Sequence, residues 1–301
     1  MKPKNVLILL SILIAVLALI AAGTGIFVQG DGAPFSFTTL RGETVMMHGR
    51  GIYRYDSVSG AAQVIGGDMV TLFLGIPLLL ISVLLAARGS LRGQLLLAGT
   101  LGYFLYTYVM ITFQVGFNAL FLIYVMLFSA SLFAFVLAML SINLQDLAQS
   151  FSRPLPRRTI AVFLFLIGAF LLMNWVGRII LPALRSGTPP IILESYTTLV
   201  IQALDLGVIV PTAILTGILL LRRKALGYLL AAVVLIKGMT LAASITAMMV
   251  MMLRAGVAVS PAEVVIFPLI AVVSAGLTVL VLRSVSAHPA LPAGRAAAVP
   301  A

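Results

Sequence analysis

Three ionisable side chains of this chain fall inside runs of apolar residues long enough to cross a bilayer: Arg178, Asp205 and Lys237. On insertion scales each such residue at a bilayer centre costs roughly 2.5–3.5 kcal/mol, so it is retained where it turns toward a bundle interior, a partner or water. Asn174 stands one helical turn before Arg178, and Gln202 three residues before Asp205, so each helix carries its polar pair on one face. Measured at 1.5 Å per residue from the cytoplasmic helix ends expected below, Arg178 lies about 27 Å up, Asp205 about 24 Å and Lys237 about 18 Å. All three belong to the outer half. One carboxylate between two cations leaves a surplus positive charge, which suits a small anionic group such as carboxylate or phosphate. The candidate ligand-binding set is therefore Asn174, Arg178, Gln202, Asp205 and Lys237. The same charges equally suit a packing role, with Asp205 bridging Arg178 or Lys237 to lock helices and Arg178 snorkelling to the interface.

Other chemistries lack their residues. A retinal Schiff base on Lys237 would need an acidic residue one turn earlier, and position 233 is Val. The absence of Cys removes disulfides, thiolate metal sites and thiol nucleophiles together. His48 and His288 are too far apart to form a spaced metal pair, and no HExxH, Walker A or dinucleotide motif occurs. Ser57, Val58, Ser59 and Gly60 lie where no membrane His can act as base, and the Met-rich run 248–252 reads as packing. Asp68, Asp146, Glu194 and Glu263 lack catalytic spacing. No catalytic residue, cofactor or metal is assigned, and the pattern points away from an enzyme.

The elements that must position these groups are membrane helices. With 62% hydrophobic and 9% charged residues in 301, there is too little polar surface to coat a water-soluble globule. A hydrocarbon core about 30 Å thick needs roughly 20 apolar helical residues. Eight runs qualify, at 6–28, 69–87, 94–113, 119–142, 160–181, 199–221, 225–253 and 264–282. The fold class is thus an all-α polytopic membrane protein, one membrane domain over 1–301. The first run is too long for a cleaved signal h-region and reads as a signal anchor; cleavage would leave seven spans.

The Lys and Arg residues alternate by link. Lys2, Lys4, Arg88, Arg92, Arg153, Arg157, Arg158, Arg222, Arg223, Lys224, Arg283 and Arg295 share one side, against Arg41, Arg50, Arg54, Arg185 and Arg254 on the other. The positive-inside rule then places both termini in the cytoplasm, and short links suit a prokaryotic plasma membrane. The net charge of +11 is spread over these links, where it sets orientation and meets anionic lipid, not nucleic acid.

Residues 29–68 form the one sizeable extracytoplasmic segment. Alternation over 35–40, 43–48 and 51–55, with bends at Gly42 and at Gly49-Arg50-Gly51, predicts a small β-meander that packs on helix ends, covers them as a lid or meets a protein partner. Asp68 reads as the N-cap of the second span, and Ser260-Pro261-Ala262-Glu263 as the start of the eighth. Residues 143–158 read as a cytoplasmic loop or short helix, and 284–301 as a disordered cytoplasmic tail.

Pro77, Arg88, Gly93 and Leu96 recur 134 positions later as Pro211, Arg222, Gly227 and Leu230. This fits a parallel 4+4 repeat about an axis along the membrane normal; chance matching of low-complexity apolar sequence gives the same pattern. Tyr103 is then the counterpart of Lys237. The functional expectation is transport or sensing of a small anionic solute through an outward-facing polar site. The alternative is a non-catalytic structural or assembly subunit whose charges serve packing.

Overall fold

A computed structural model describes residues 3–151 and 155–285. Within it α1 spans Pro3–Phe27, β1 Phe35–Thr38 and β2 Thr44–Met47. The remaining helices are α2 Val58–Ala87, α3 Leu91–Gln114, α4 Phe121–Ser141, α5 Leu144–Gln149, α6 Arg157–Ser186, α7 Val200–Leu221, α8 Ala225–Arg254 and α9 Pro261–Ser284. All but α5 are long and apolar enough to cross a membrane, eight in total. In hydrocarbon a helix satisfies its own backbone groups, which is why apolar runs of this length fold this way. The tail beyond Val285 lies outside the described residues.

The bundle is built around α3 and α8. They pack on each other, α3 also holds α2 and α4, and α8 holds α2, α7, α9 and the short α5. Close approach is possible because α2 offers glycine at the crossing: a Cβ on Gly66 would stand 2.6 Å from the Met248 backbone. By contrast α6 and α9 bury only 22% of their apolar windows, so most of their surface faces outward.

Links at the two ends alternate. At one end Lys4 Nζ donates to the Ala87 carbonyl at 2.7 Å, and the Arg92 guanidinium donates twice to the Val285 carbonyl at 2.8 and 2.6 Å. At the other, Arg41 reaches from the β1–β2 turn to the carbonyls of Tyr196 and Glu194 at 3.0 and 2.5 Å. We call these the terminal end and the hairpin end.

The segment expected to form a three-stranded meander is a two-stranded hairpin, with Phe35 paired to Met47 and Thr38 to Thr44. Its third stretch is a coiled turn. Gly49 and Gly51 both adopt positive φ, at 74° and 55°, and this reverses the chain so that 51–55 leaves the sheet plane. Two backbone bonds tie it back, His48 N to Asp56 O and Gly49 N to Arg54 O.

Asp68 is not a helix cap. Helix α2 begins ten residues upstream, at Val58, where Ser57 Oγ accepts the Gly60 N–H at 2.8 Å. The stretch 58–67 is rich in Gly and Ala, so it lacks the hydropathy of a span, yet small side chains let it pack helically against α1 and α8. Helix α9 does begin at Pro261, but Ser260 caps it by position alone, with no side-chain bond.

Three spans contain π-helical turns, at Thr71–Gly75, Met173–Ile180 and Asp205–Ile209. Each ends two residues before a proline, Pro77, Pro182 or Pro211. A proline ring collides with the carbonyl four residues back, and a widened turn relieves the collision. The first and third coincide at the 134-residue offset. So do the α-helical stretches that follow, Ile76–Ala87 and Val210–Leu221. A Cβ on Gly93 would meet the Ala86 backbone nitrogen at 2.6 Å, and one on Gly227 the Leu220 nitrogen at 2.6 Å.

Candidate functional site

Asp205 opens the π-helical turn of α7 and is 5% exposed. Both of its carboxylate oxygens are occupied by neutral donors: Tyr106 O–H from α3 donates to Oδ1 at 2.7 Å, and Trp175 Nε1–H from α6 donates to Oδ2 at 2.9 Å. Lys237, from the middle of α8, is buried as well, and its Nζ lies 3.7 Å from the centre of the Tyr106 ring. The phenol therefore has two roles. Its face receives the ammonium while its hydroxyl holds the carboxylate, so the two charges are bridged by an aromatic ring and form no ion pair; among the described residues the single ion pair is Arg41–Glu43 at 3.1 Å.

This leaves Lys237 with a deficit. An ammonium has three donors, and Nζ is buried with no hydrogen-bond acceptor among the described residues. A desolvated cation over an aromatic face gains about 2 kcal/mol, less than the full cost of burying an ammonium without partners.

Of the other sequence-derived candidates, Gln202 lies buried one turn before Asp205 on α7. Arg178 is exposed on α6 and donates to Asn174 Oδ1 at 3.2 Å, and it forms no ion pair with Asp205. The residue of α6 that reaches Asp205 is Trp175. Neither Tyr106 nor Trp175 belongs to the set of residues that burial cost singles out in the sequence. The available signals were the one-turn relation of Tyr106 to Tyr103 and the position of Trp175 beside Asn174.

A second polar cluster adjoins the first. Tyr103 O–H lies 2.8 Å from Thr71 Oγ1 and 3.2 Å from Ser244 Oγ. Tyr103, Tyr106, Thr107 and Ser244 line a cavity of about 20 Å³, closed on its apolar side by Val64 and Met248. That is room for a water molecule. Deeper toward the hairpin end, Asp68 is 2% exposed and accepts Tyr53 O–H at 2.6 Å. Burial, then the nearby Asp68 charge, pushes the Tyr53 phenol well above its usual range and keeps it a donor.

Compared with protein-family models, with curated proteins and with solved structures, the chain matches none. It is a multi-pass membrane protein by its eight apolar helices.

Proposed function

We propose that the chain is a membrane transport or solute-sensing protein that receives a small anionic group at Lys237, next to Asp205, Tyr106 and Trp175. The observation that carries this reading is the unmet donor capacity of Lys237 Nζ beside a carboxylate already occupied by two neutral donors. An incoming carboxylate or phosphate supplies the missing acceptors, and Asp205 limits how strongly it is held. Gln202, Asn174 and Arg178 are the remaining members of the proposed site, the last two on the approach along α6. The water-sized cavity means that loading requires the helices to part. The prolines and π-helical turns of α2, α6 and α7 are suited to this, since such turns occur often at functional bends.

On this reading the hairpin end is extracytoplasmic and both termini are cytoplasmic in a prokaryotic plasma membrane, following the basic links. The coincident π-helical turns and glycine contacts support a parallel repeat of α1–α4 and α6–α9, with the site where the halves meet.

The chain has one Trp, and it touches Asp205. Trp175 emission in purified protein thus reports on the site. Titration with acetate or inorganic phosphate is expected to shift it saturably, and Lys237→Met to abolish the response while the protein stays folded. A saturable response that survives Lys237→Met would overturn the reading.

A second reading, an assembly subunit with a protein partner at the hairpin, is favoured by one observation. Phe35 and Phe37 of β1 are exposed, and Leu40 in the adjoining turn is 99% exposed. Exchanging Asp205 and Lys237 discriminates the two. Restored abundance together with restored activity indicates packing, whereas restored abundance alone indicates a ligand site.

A further inference from the structure

The hairpin end carries a carboxylate that the solute site does not use. Asp56 is 0% exposed and has no basic partner among the described residues. Its Oδ1 accepts the Gly116 N–H from the α3–α4 link at 2.8 Å and the Tyr196 hydroxyl from the α6–α7 link at 3.2 Å. Its Oδ2 is buried with no hydrogen-bond partner among the described residues. One side chain thus fastens three separate links, since Asp56 itself belongs to the turn that follows the hairpin.

The fastening is reinforced around it. Ser57 O–H donates to the Glu194 carboxylate, and Arg41 donates to the carbonyls of Glu194 and Tyr196. The Tyr196 hydroxyl also fills the space above Gly60, where a Cβ would clash with it. The 190–196 turn is in this way pinned over the first turn of α2.

We propose that Asp56 is a proton-binding site: with a proton on Oδ2 the three links are held together over the hairpin end of the bundle, and loss of that proton loosens them. The inference stands independently of the solute site. An ionised Asp56 is a sealed negative charge with one oxygen unserved, a state that opening to water relieves. Protonation removes the charge and leaves Oδ1 free to go on accepting both bonds.

The groups facing Asp56 do not cancel this charge. Tyr196 is a neutral donor, and burial pushes its phenol well above the usual range. Glu194 adds like charge from the same link. Beneath, Tyr53 is turned to Asp68, and Tyr124 of α4 is a further phenol. Arg41 is committed to carbonyls and to Glu43. His48, beside Asp56 in the backbone, is shifted toward its neutral form by burial and by Arg50.

Burial raises the Asp56 carboxyl from 3.8 to about 6, against the lowering effect of its two hydrogen bonds. The fastened form therefore binds the proton more tightly than an opened, solvated one. Its advantage is complete below the ordinary carboxylate range and is lost as pH rises through about 6. A difference of about two units corresponds to about a hundredfold in the equilibrium, of which about tenfold falls between pH 5 and pH 8.

Hydrogen–deuterium exchange on the full chain in lipid nanodiscs tests this. The amides of Leu193, Glu194 and Tyr196 are hydrogen-bonded within the turn and report its opening. After correction for the intrinsic pH dependence of exchange, their protection is expected to fall about tenfold from pH 5 to pH 8, and Asp56→Asn to remove the dependence. Constant protection in the native chain, or an equal fall in Asp56→Asn, would overturn the proposal. Should Asp56→Asn fail to accumulate, Tyr196→Phe decides. It removes a bond that lowers the carboxyl, so the midpoint must move to higher pH, and an unmoved midpoint overturns the proposal.

Discussion

Thr71 and Tyr103 precede Asp205 and Lys237 by the same 134 positions, yet the two pairs solve burial in opposite ways. In the first, a hydroxyl meets a hydroxyl at 2.8 Å and Ser244 completes the set. Every group is neutral and partnered. In the second, a carboxylate takes both available neutral donors and the ammonium is left over an aromatic face without an acceptor. Helix packing needs only the first arrangement. The second holds interaction capacity that the described residues do not fill, and it is on this that the proposed ligand site rests.

Replacing Asp205 by Leu is expected to have the largest effect. It removes the compensating charge from buried Lys237 and strands the Tyr106 and Trp175 donors, for a loss of about 3–5 kcal/mol, whereas Thr71→Val costs about 1 kcal/mol. Thermal unfolding in one detergent orders the two, and equal losses would erase the distinction between the clusters.

The phenols separate next. Tyr106→Phe keeps the ring under Lys237 but removes a bond to a charged acceptor, a loss of about 1.5–3 kcal/mol; Tyr103→Phe removes a neutral one, about 1 kcal/mol. Chemical denaturation of the two variants side by side gives the ratio.

Corresponding halves would also respond alike to substitution at their matched glycines. Gly93→Ala and Gly227→Ala each place a methyl within 2.6 Å of backbone in the turn before it. Both are expected to destabilise by about 1–3 kcal/mol and by nearly equal amounts. Markedly unequal losses, read from the same unfolding curves, would detach the two turns from one another.

The helices were legible because hydrocarbon imposes a length and a polarity that few other environments demand. All eight long helices overlap the apolar runs, and all but α2 begin and end within a few residues of them. What escaped was set by tertiary context. The start of α2 at Val58 depends on Gly and Ala packing against neighbours, and hydropathy does not register that; Asp68 was misassigned for this reason. The hairpin lost its third strand to two glycines with positive φ, which alternation alone cannot reveal. Within the candidate site, Asp205 and Lys237 stood out through their burial cost. Tyr106 and Trp175 did not, because aromatic residues are common near membrane interfaces and only their hydrogen bonds single them out. Arg178 carried the same charge signal as Lys237 and sits exposed with Asn174, since depth along a helix says nothing about which way a face points.

The widened turn at Asp205–Ile209 also has an angular meaning. Fitting one additional residue into a turn rotates everything beyond it by about 100° relative to an unbroken α-helix. Asp205 and Gln202 therefore look toward the bundle axis from a helix whose lower portion follows a different azimuth, and a helical wheel drawn through 199–221 in a single phase would misdirect them. Were that residue given back to regular winding, the helix would lengthen by about 1.5 Å and the carboxylate would swing away from Tyr106 and Trp175.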